Sequence, residues 1–167
     1  NNLLISLKKY FESKGFVFFN WTKYCKELFS TETHLTKIKP SKNSILNLKK
    51  AKSVYQIYKK LDVGQAMIVQ NQLVLGLEAI EGTDELLQRC KEYKRKGDDG
   101  ILFKFSKQKQ SNLIDVPLIG LDTIKNLKKY NYAGVYLQKN KCLILDKKKI
   151  IDYANNNKLF ISAVELN

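Results

Sequence analysis

From residue 62 to the C-terminus, apolar runs of strand length alternate with amphipathic stretches of helical period, and no other feature restricts the fold of this 167-residue chain as much. The runs at 65–69, 73–77, 101–106, 134–138, 142–145 and 159–164 are too short for buried helices and read as strands. Between them, 84–96, 122–130 and 146–157 carry apolar residues at helical spacing, with Thr83 as N-cap and Gly97 as terminator of the first. Asn71-Gln72 separates the first two runs as a hairpin turn would, and Asn140-Lys141 reads as a turn between two others. The expected fold class is therefore α/β, a layered domain with a mixed sheet and flanking helices.

The N-terminal part is patterned differently. Apolar positions 3, 4, 7 and 11 predict a helix over 3–13 that Gly15 stops, followed by a short strand at 16–20 and a short helix at 23–29. Residues 31–44 are polar, contain Pro40 and read as a connection. A longer helix over 45–61 follows, with its apolar stripe at Leu48, Ala51, Val54, Ile57/Tyr58 and Leu61. No apolar run approaches the roughly 18 residues of a membrane span, and the first residues lack a signal peptide's order, so the cell interior is expected. The chain begins without Met, as a piece of a longer protein would.

Composition removes several function classes. With 44% hydrophobic residues and 17 Phe and Tyr, the chain is no disordered tail. Cys25, Cys90 and Cys142 are odd in number and widely spaced, which predicts reduced, buried thiols rather than a disulfide framework or zinc site. His34 is the one histidine and lies in a polar stretch, so a solvated loop residue is expected and a His-based triad is disfavoured. Neither G-x-x-x-x-G-K-[ST] nor G-x-G-x-x-G occurs.

The charge of +14 is unevenly spread. Residues 1–61 hold 13 Lys against three Glu, whereas 62–167 hold 17 basic against 13 acidic residues. From Leu61 to Gln88 there is no basic residue, and the charges are Asp62, Glu78, Glu81, Asp84 and Glu85. Asp62 sits where a helix ends and reads equally as a cap. Glu78 and Glu81 end an apolar run where solvated charge has no structural reason to be. Gly82 permits close backbone approach, and Thr83 opens a helix whose free N–H groups favour phosphate. Carboxylates beside such an anion site call for a bridging hard cation, and Mg2+ is the natural choice. An acidic first turn favourable to the helix dipole is the bland account; it covers Asp84 and Glu85 better than Glu78 and Glu81. Lys104, inside an apolar strand, either snorkels from an edge or points at an anion. Asp115, in the apolar stretch before Pro117, either stabilises a turn or serves to orient water or hold a metal.

Taken in order, Asp62-Val-Gly-Gln65, Glu78-Ala-Ile-Glu-Gly-Thr-Asp84, Lys104 and Lys107 ahead of Gln110, and Asp115-Val-Pro-Leu-Ile-Gly120 with Thr123 resemble the C-terminal domain of the LpxI family. The likeness continues through Ala133-Gly-Val, the strand end Leu143-Ile-Leu-Asp146 and the closing 159–166 segment. The family comprises UDP-2,3-diacylglucosamine pyrophosphatases of bacterial lipid A biosynthesis. The resemblance implies a magnesium-dependent hydrolase that releases UMP and 2,3-diacylglucosamine 1-phosphate. It implies Asp115 as catalytic residue, and Gln65, Gly82, Thr83, Lys104, Lys107, Gln110 and Thr123 as substrate contacts. It also implies Asp62, Glu78, Glu81 and Asp84 as metal or ligand contacts. Where the family often shows Lys-Pro-Gly-Gln and then an Arg before the Asp, this chain reads Lys107-Gln-Lys-Gln110 and then Leu113.

The family pairs this domain with an N-terminal Rossmann-like one. Residues 1–50 are thus expected to be the end of a partial Rossmann-like domain, and 51–167 the catalytic domain. Family sites lie between the domains, so a chain with only part of the first is expected to turn over poorly. The expected partners are a nucleotide-activated lipid and the inner membrane, met peripherally from the cytoplasm, with a homodimer among the assemblies; no nucleic acid is expected. The alternative is a basic nucleic-acid- or anionic-membrane-binding module without catalysis, carried by the lysines of 1–61. Only two of the 30 basic residues are Arg, which weighs against it.

Overall fold

Asn71 and Gln72 both adopt left-handed backbone (φ 50° and 62°), which a two-residue hairpin turn requires at its two central positions. They join β1 (Ala66–Gln70) to β2 (Leu73–Leu77), antiparallel as the sequence predicts. The structure is a computed structural model that describes residues 2–61, 63–107 and 115–166. Beyond the hairpin it contains β3 (Ile101–Lys104), β5 (Gly134–Gln138) and β7 (Phe160–Val164), which complete a sheet of order β2-β1-β3-β5-β7. β1 is antiparallel to β3, while β3, β5 and β7 run parallel, so the sheet is mixed. The helices α4 (Leu121–Lys129) and α5 (Lys147–Asn156) make the crossovers that parallel strands need.

Strand alternation sorts the core into two faces. Met67, Val69, Ile101, Phe103, Tyr136 and Phe160 pack with Ala51, Tyr55 and Tyr58 of α2 (Lys42–Tyr58). Ala66, Ile68, Leu102, Val135, Leu137 and Ile161 pack with α3 (Thr83–Cys90), α4 and α5 on the other side. The result is three layers, one helix against one face and three against the other.

Several expectations are modified by packing. In α2 the buried stripe is Ser44, Asn47, Ala51, Tyr55 and Tyr58, with Ile57 exposed, and Ser41 caps the helix by accepting from Ser44 N at 3.1 Å. The helix at 84–96 ends as α-helix at Cys90 and continues as a 3-10 turn, Lys91–Tyr93. The run at 142–145 yields only β6 (Leu143–Ile144), which pairs in parallel with β4 (Leu118–Ile119) and not with β5 across Asn140-Lys141. Leu143 N donates to Pro117 O at 2.8 Å, so the chain after Asp115 takes this strand as its partner.

Before Phe29 none of the residues from Leu3 onward is buried. The helix α1 (Asn2–Ser13) forms as expected, but 16–20 is not a strand, and Phe16, Val17 and Phe19 are exposed. A strand is held by hydrogen bonds to a neighbour, and among the described residues nothing offers that segment one. In place of a helix at 23–29 stand two 3-10 turns, Trp21–Lys23 and Lys26–Leu28. Residue 50 lies inside α2, and core burial begins at Phe29. From there the chain runs along β7: Leu35 N donates to Ile161 O at 3.0 Å and Ala163 N to Thr33 O at 2.9 Å. This connection covers an otherwise open sheet edge. His34 is exposed, as expected, with Nδ1 3.0 Å from Ser162 Oγ. Cys90 and Cys142 are buried and free, and Cys25 is half-buried. Among the described residues no helix is long and apolar enough to cross a membrane.

Gly64 shows how tightly the first two motifs meet. A Cβ there would overlap both the Cβ and the carbonyl of Glu78, and Gly64 N donates to Glu78 O at 3.0 Å. Gly64→Ala is expected to lower stability by about 1–3 kcal/mol, read as a lower urea midpoint at unchanged slope.

Candidate active site at one sheet edge

Because β1 is antiparallel to both β2 and β3, the start of β1 and the carboxyl ends of β2 and β3 lie on one edge of the sheet. Ligand sites of open α/β sheets form outside such carboxyl ends. Gln65 precedes β1, Glu78 follows β2, and Lys104 closes β3, so three sequence motifs arrive together. Ala66 lies opposite Lys104 and Met67 opposite Leu77 in the sheet register.

Glu78 is the hub. It is only 8% exposed, and its two carboxylate oxygens accept from different elements: Oε2 from the backbone N–H of Gln65, Oε1 from the Thr83 hydroxyl at 2.6 Å. Tyr58 donates its hydroxyl to the Glu78 carbonyl at 2.8 Å, and burial beside this carboxylate pushes its phenol up to about 12. Lys104, 7% exposed in the central strand, donates from Nζ to Thr83 Oγ1 at 2.5 Å. The buried ammonium and the buried carboxylate are thus linked through one hydroxyl, which offsets part of the desolvation cost of each. Lys104 does not snorkel from an edge, because β3 has neighbours on both sides.

This use of Thr83 changes its expected role. The N-cap of α3 is Gly82, with φ +83° and open space where a Cβ would stand, and Thr83 is the first helical residue. The Thr83 hydroxyl serves Glu78 and Lys104 instead of a helix N–H. Asp84 follows, with its Oδ1 buried and without a hydrogen-bond partner among the described residues. Glu81 has a different environment: Arg89 donates to its Oε1 from Nε at 3.0 Å and from Nη2 at 2.7 Å, and Nη2 also reaches Leu77 O at 2.7 Å. These bonds hold the Glu81 carboxyl below the ordinary range and fasten the loop to α3.

Asp115 is half-buried, and its Oδ1 accepts from Gln65 Nε2 at 3.3 Å. Gln65 therefore joins the two halves of the cluster, with its backbone on Glu78 and its amide on Asp115. Lys107 is half-buried beyond β3, and Thr123 is buried in α4. Asp62 and Gln110 lie outside the described residues. Among the described residues no three His, Cys, Asp or Glu side chains converge as a metal cluster. Sequence reading missed Tyr58, whose signal was merely one aromatic in a helical stripe, and Arg89, the first basic residue after the acidic island.

Residues 31–162 match the family described as the LpxI C-terminal domain. A curated relative, UDP-2,3-diacylglucosamine pyrophosphatase LpxI of Caulobacter vibrioides, is 29% identical over 161 residues, which span 93% of this chain. They cover 58% of the relative's own length. With the family match spanning most of the sequence and its motifs meeting at one sheet edge, the chain belongs to the LpxI family.

Proposed function

We propose that the protein hydrolyses the diphosphate of UDP-2,3-diacylglucosamine, releasing UMP and 2,3-diacylglucosamine 1-phosphate in lipid A biosynthesis. One observation carries this reading: residues from separate family motifs form a single bonded chain, Asp115 to Gln65 to Glu78 to Thr83 to Lys104. Diphosphate hydrolysis needs neutralisation of phosphate charge and an oriented water. The Lys104 ammonium, with one N–H on Thr83, has others for phosphate oxygens. Gln65 fixes the Asp115 carboxylate, which takes the proton of the attacking water as its oxygen bonds to phosphorus and the bridging oxygen leaves.

The donor set fits Mg2+ in its usual sparing mode, with one or two protein carboxylates and the rest water and phosphate. Asp84, whose buried Oδ1 has no hydrogen-bond partner among the described residues, would hold it; Glu78 and Glu81 are engaged by protein donors. The ion would supply further neutralisation of the diphosphate. On the same reading residues 1–50 close a Rossmann-like domain, and the protein works in the cytoplasm at the inner membrane surface, with a homodimer as its assembly.

The test is UMP release from UDP-2,3-diacylglucosamine by the full-length gene product, followed by chromatography with Mg2+ and with excess EDTA. Release with Mg2+ and none with chelator is expected. Undiminished release in EDTA removes the metal from the mechanism, and no release under either condition removes the reaction.

A further inference from the structure

The same sheet edge carries a second feature that no family motif covers. Beyond the carboxyl end of β5, the 139–142 turn and the two N-terminal 3-10 turns border a half-open cavity of 440 Å3, within the range of small-molecule sites. Its walls include Lys23, Lys26 and Lys141, with Thr22 and Asn140 as polar partners and the buried ring of Phe29. No carboxylate lines it, and among the described residues none of the three lysines is in an ion pair. Three like charges around one concavity repel one another, an arrangement that an anion relieves.

The cavity is fastened to the candidate active site. Cys142 Sγ lies 3.5 Å from the Lys104 carbonyl, and Leu143 N donates to Pro117 O, two residues beyond Asp115. Its other wall is held by Asn140 N donating to Ser30 O at 3.0 Å and by the Phe29–Leu143 bridge. We propose that this cavity is a phosphate-ester subsite, in which Lys23, Lys26 and Lys141 take the phosphate and Asn140, Thr22 and Phe29 the attached group. The proposal rests on the diphosphate reading of the neighbouring site and extends it: one half of the substrate is bound by residues outside the acidic motifs.

Titration calorimetry of the full-length gene product with UMP and, separately, with glucose 1-phosphate tests it. Saturable binding of either ester is expected, about tenfold or more weaker in Lys26→Ala/Lys141→Ala. The control Lys49→Ala/Lys50→Ala removes equal charge from exposed positions of α2 and is expected to change affinity less than about twofold. Tighter binding of UMP assigns the nucleotide half to the cavity, and tighter binding of the sugar phosphate assigns the other half. Absence of binding by both esters, or equal weakening in the control, overturns the subsite. Ester binding that depends on Lys26 and Lys141 in a protein that releases no UMP would leave the subsite standing and remove the reaction. UMP release with no such dependence would do the reverse.

Discussion

Asp115→Ala is expected to lower UMP release at least about a thousandfold, with the fold unchanged. Asp115 is half-buried, its hydrogen bond among the described residues is a 3.3 Å contact from Gln65 Nε2, and it does not contribute to either core cluster. Truncation should therefore shift stability by no more than about 0.5 kcal/mol, visible as an unchanged urea midpoint. Asp115→Asn is the sharper variant, because its carbonyl still accepts from Gln65 while its charge and proton affinity are gone. It should be as inactive as the alanine. Wild-type turnover in Asp115→Asn would show that only a hydrogen-bond acceptor is needed and would overturn the assigned role.

Lys104→Met is expected to lower turnover by about a hundredfold to a thousandfold, and here stability must be measured beside it. Methionine keeps the packed stem and removes an ammonium that costs free energy to bury. Removing it also strips Glu78 of the positive charge that Thr83 links to it, although the bonds from Gln65 and Thr83 remain. The second effect should exceed the first and destabilise by about 1–2 kcal/mol. Lys104→Met/Glu78→Gln removes both charges and should recover most of that stability without recovering activity. Recovery of activity with stability would mean that Lys104 only balances Glu78 and never meets phosphate.

Much of the architecture is legible in the residue pattern because strands and helices have different periods. The hairpin at Asn71-Gln72, the strand at 134–138 and the last helix and strand are set by local alternation and turn chemistry. The segments that depart from the local pattern are those whose conformation depends on a distant partner. Residues 16–20 have a strand's composition and no neighbour among the described residues, while Leu118–Ile119 becomes a strand because 143–144 lies beside it. The 3-10 turns before Phe29 face the 139–142 turn across the cavity, a neighbour distant in sequence.

The candidate site divides in the same way. By itself the sequence determined the residue types: an acidic island free of basic side chains, one lysine in an apolar strand, and one aspartate before a proline. Four carboxylates there looked alike as metal or ligand contacts. Tertiary structure gives the three it describes different surroundings. Glu78 is buried as a structural hub, Glu81 is paired with Arg89, and Asp84 keeps a buried oxygen without a partner among the described residues. The physical reason is that chemistry at a carboxylate depends on which donors reach it through space. Those donors come from Gln65 ahead of β1 and from Thr83 and Arg89 of α3, elements that only the fold brings together.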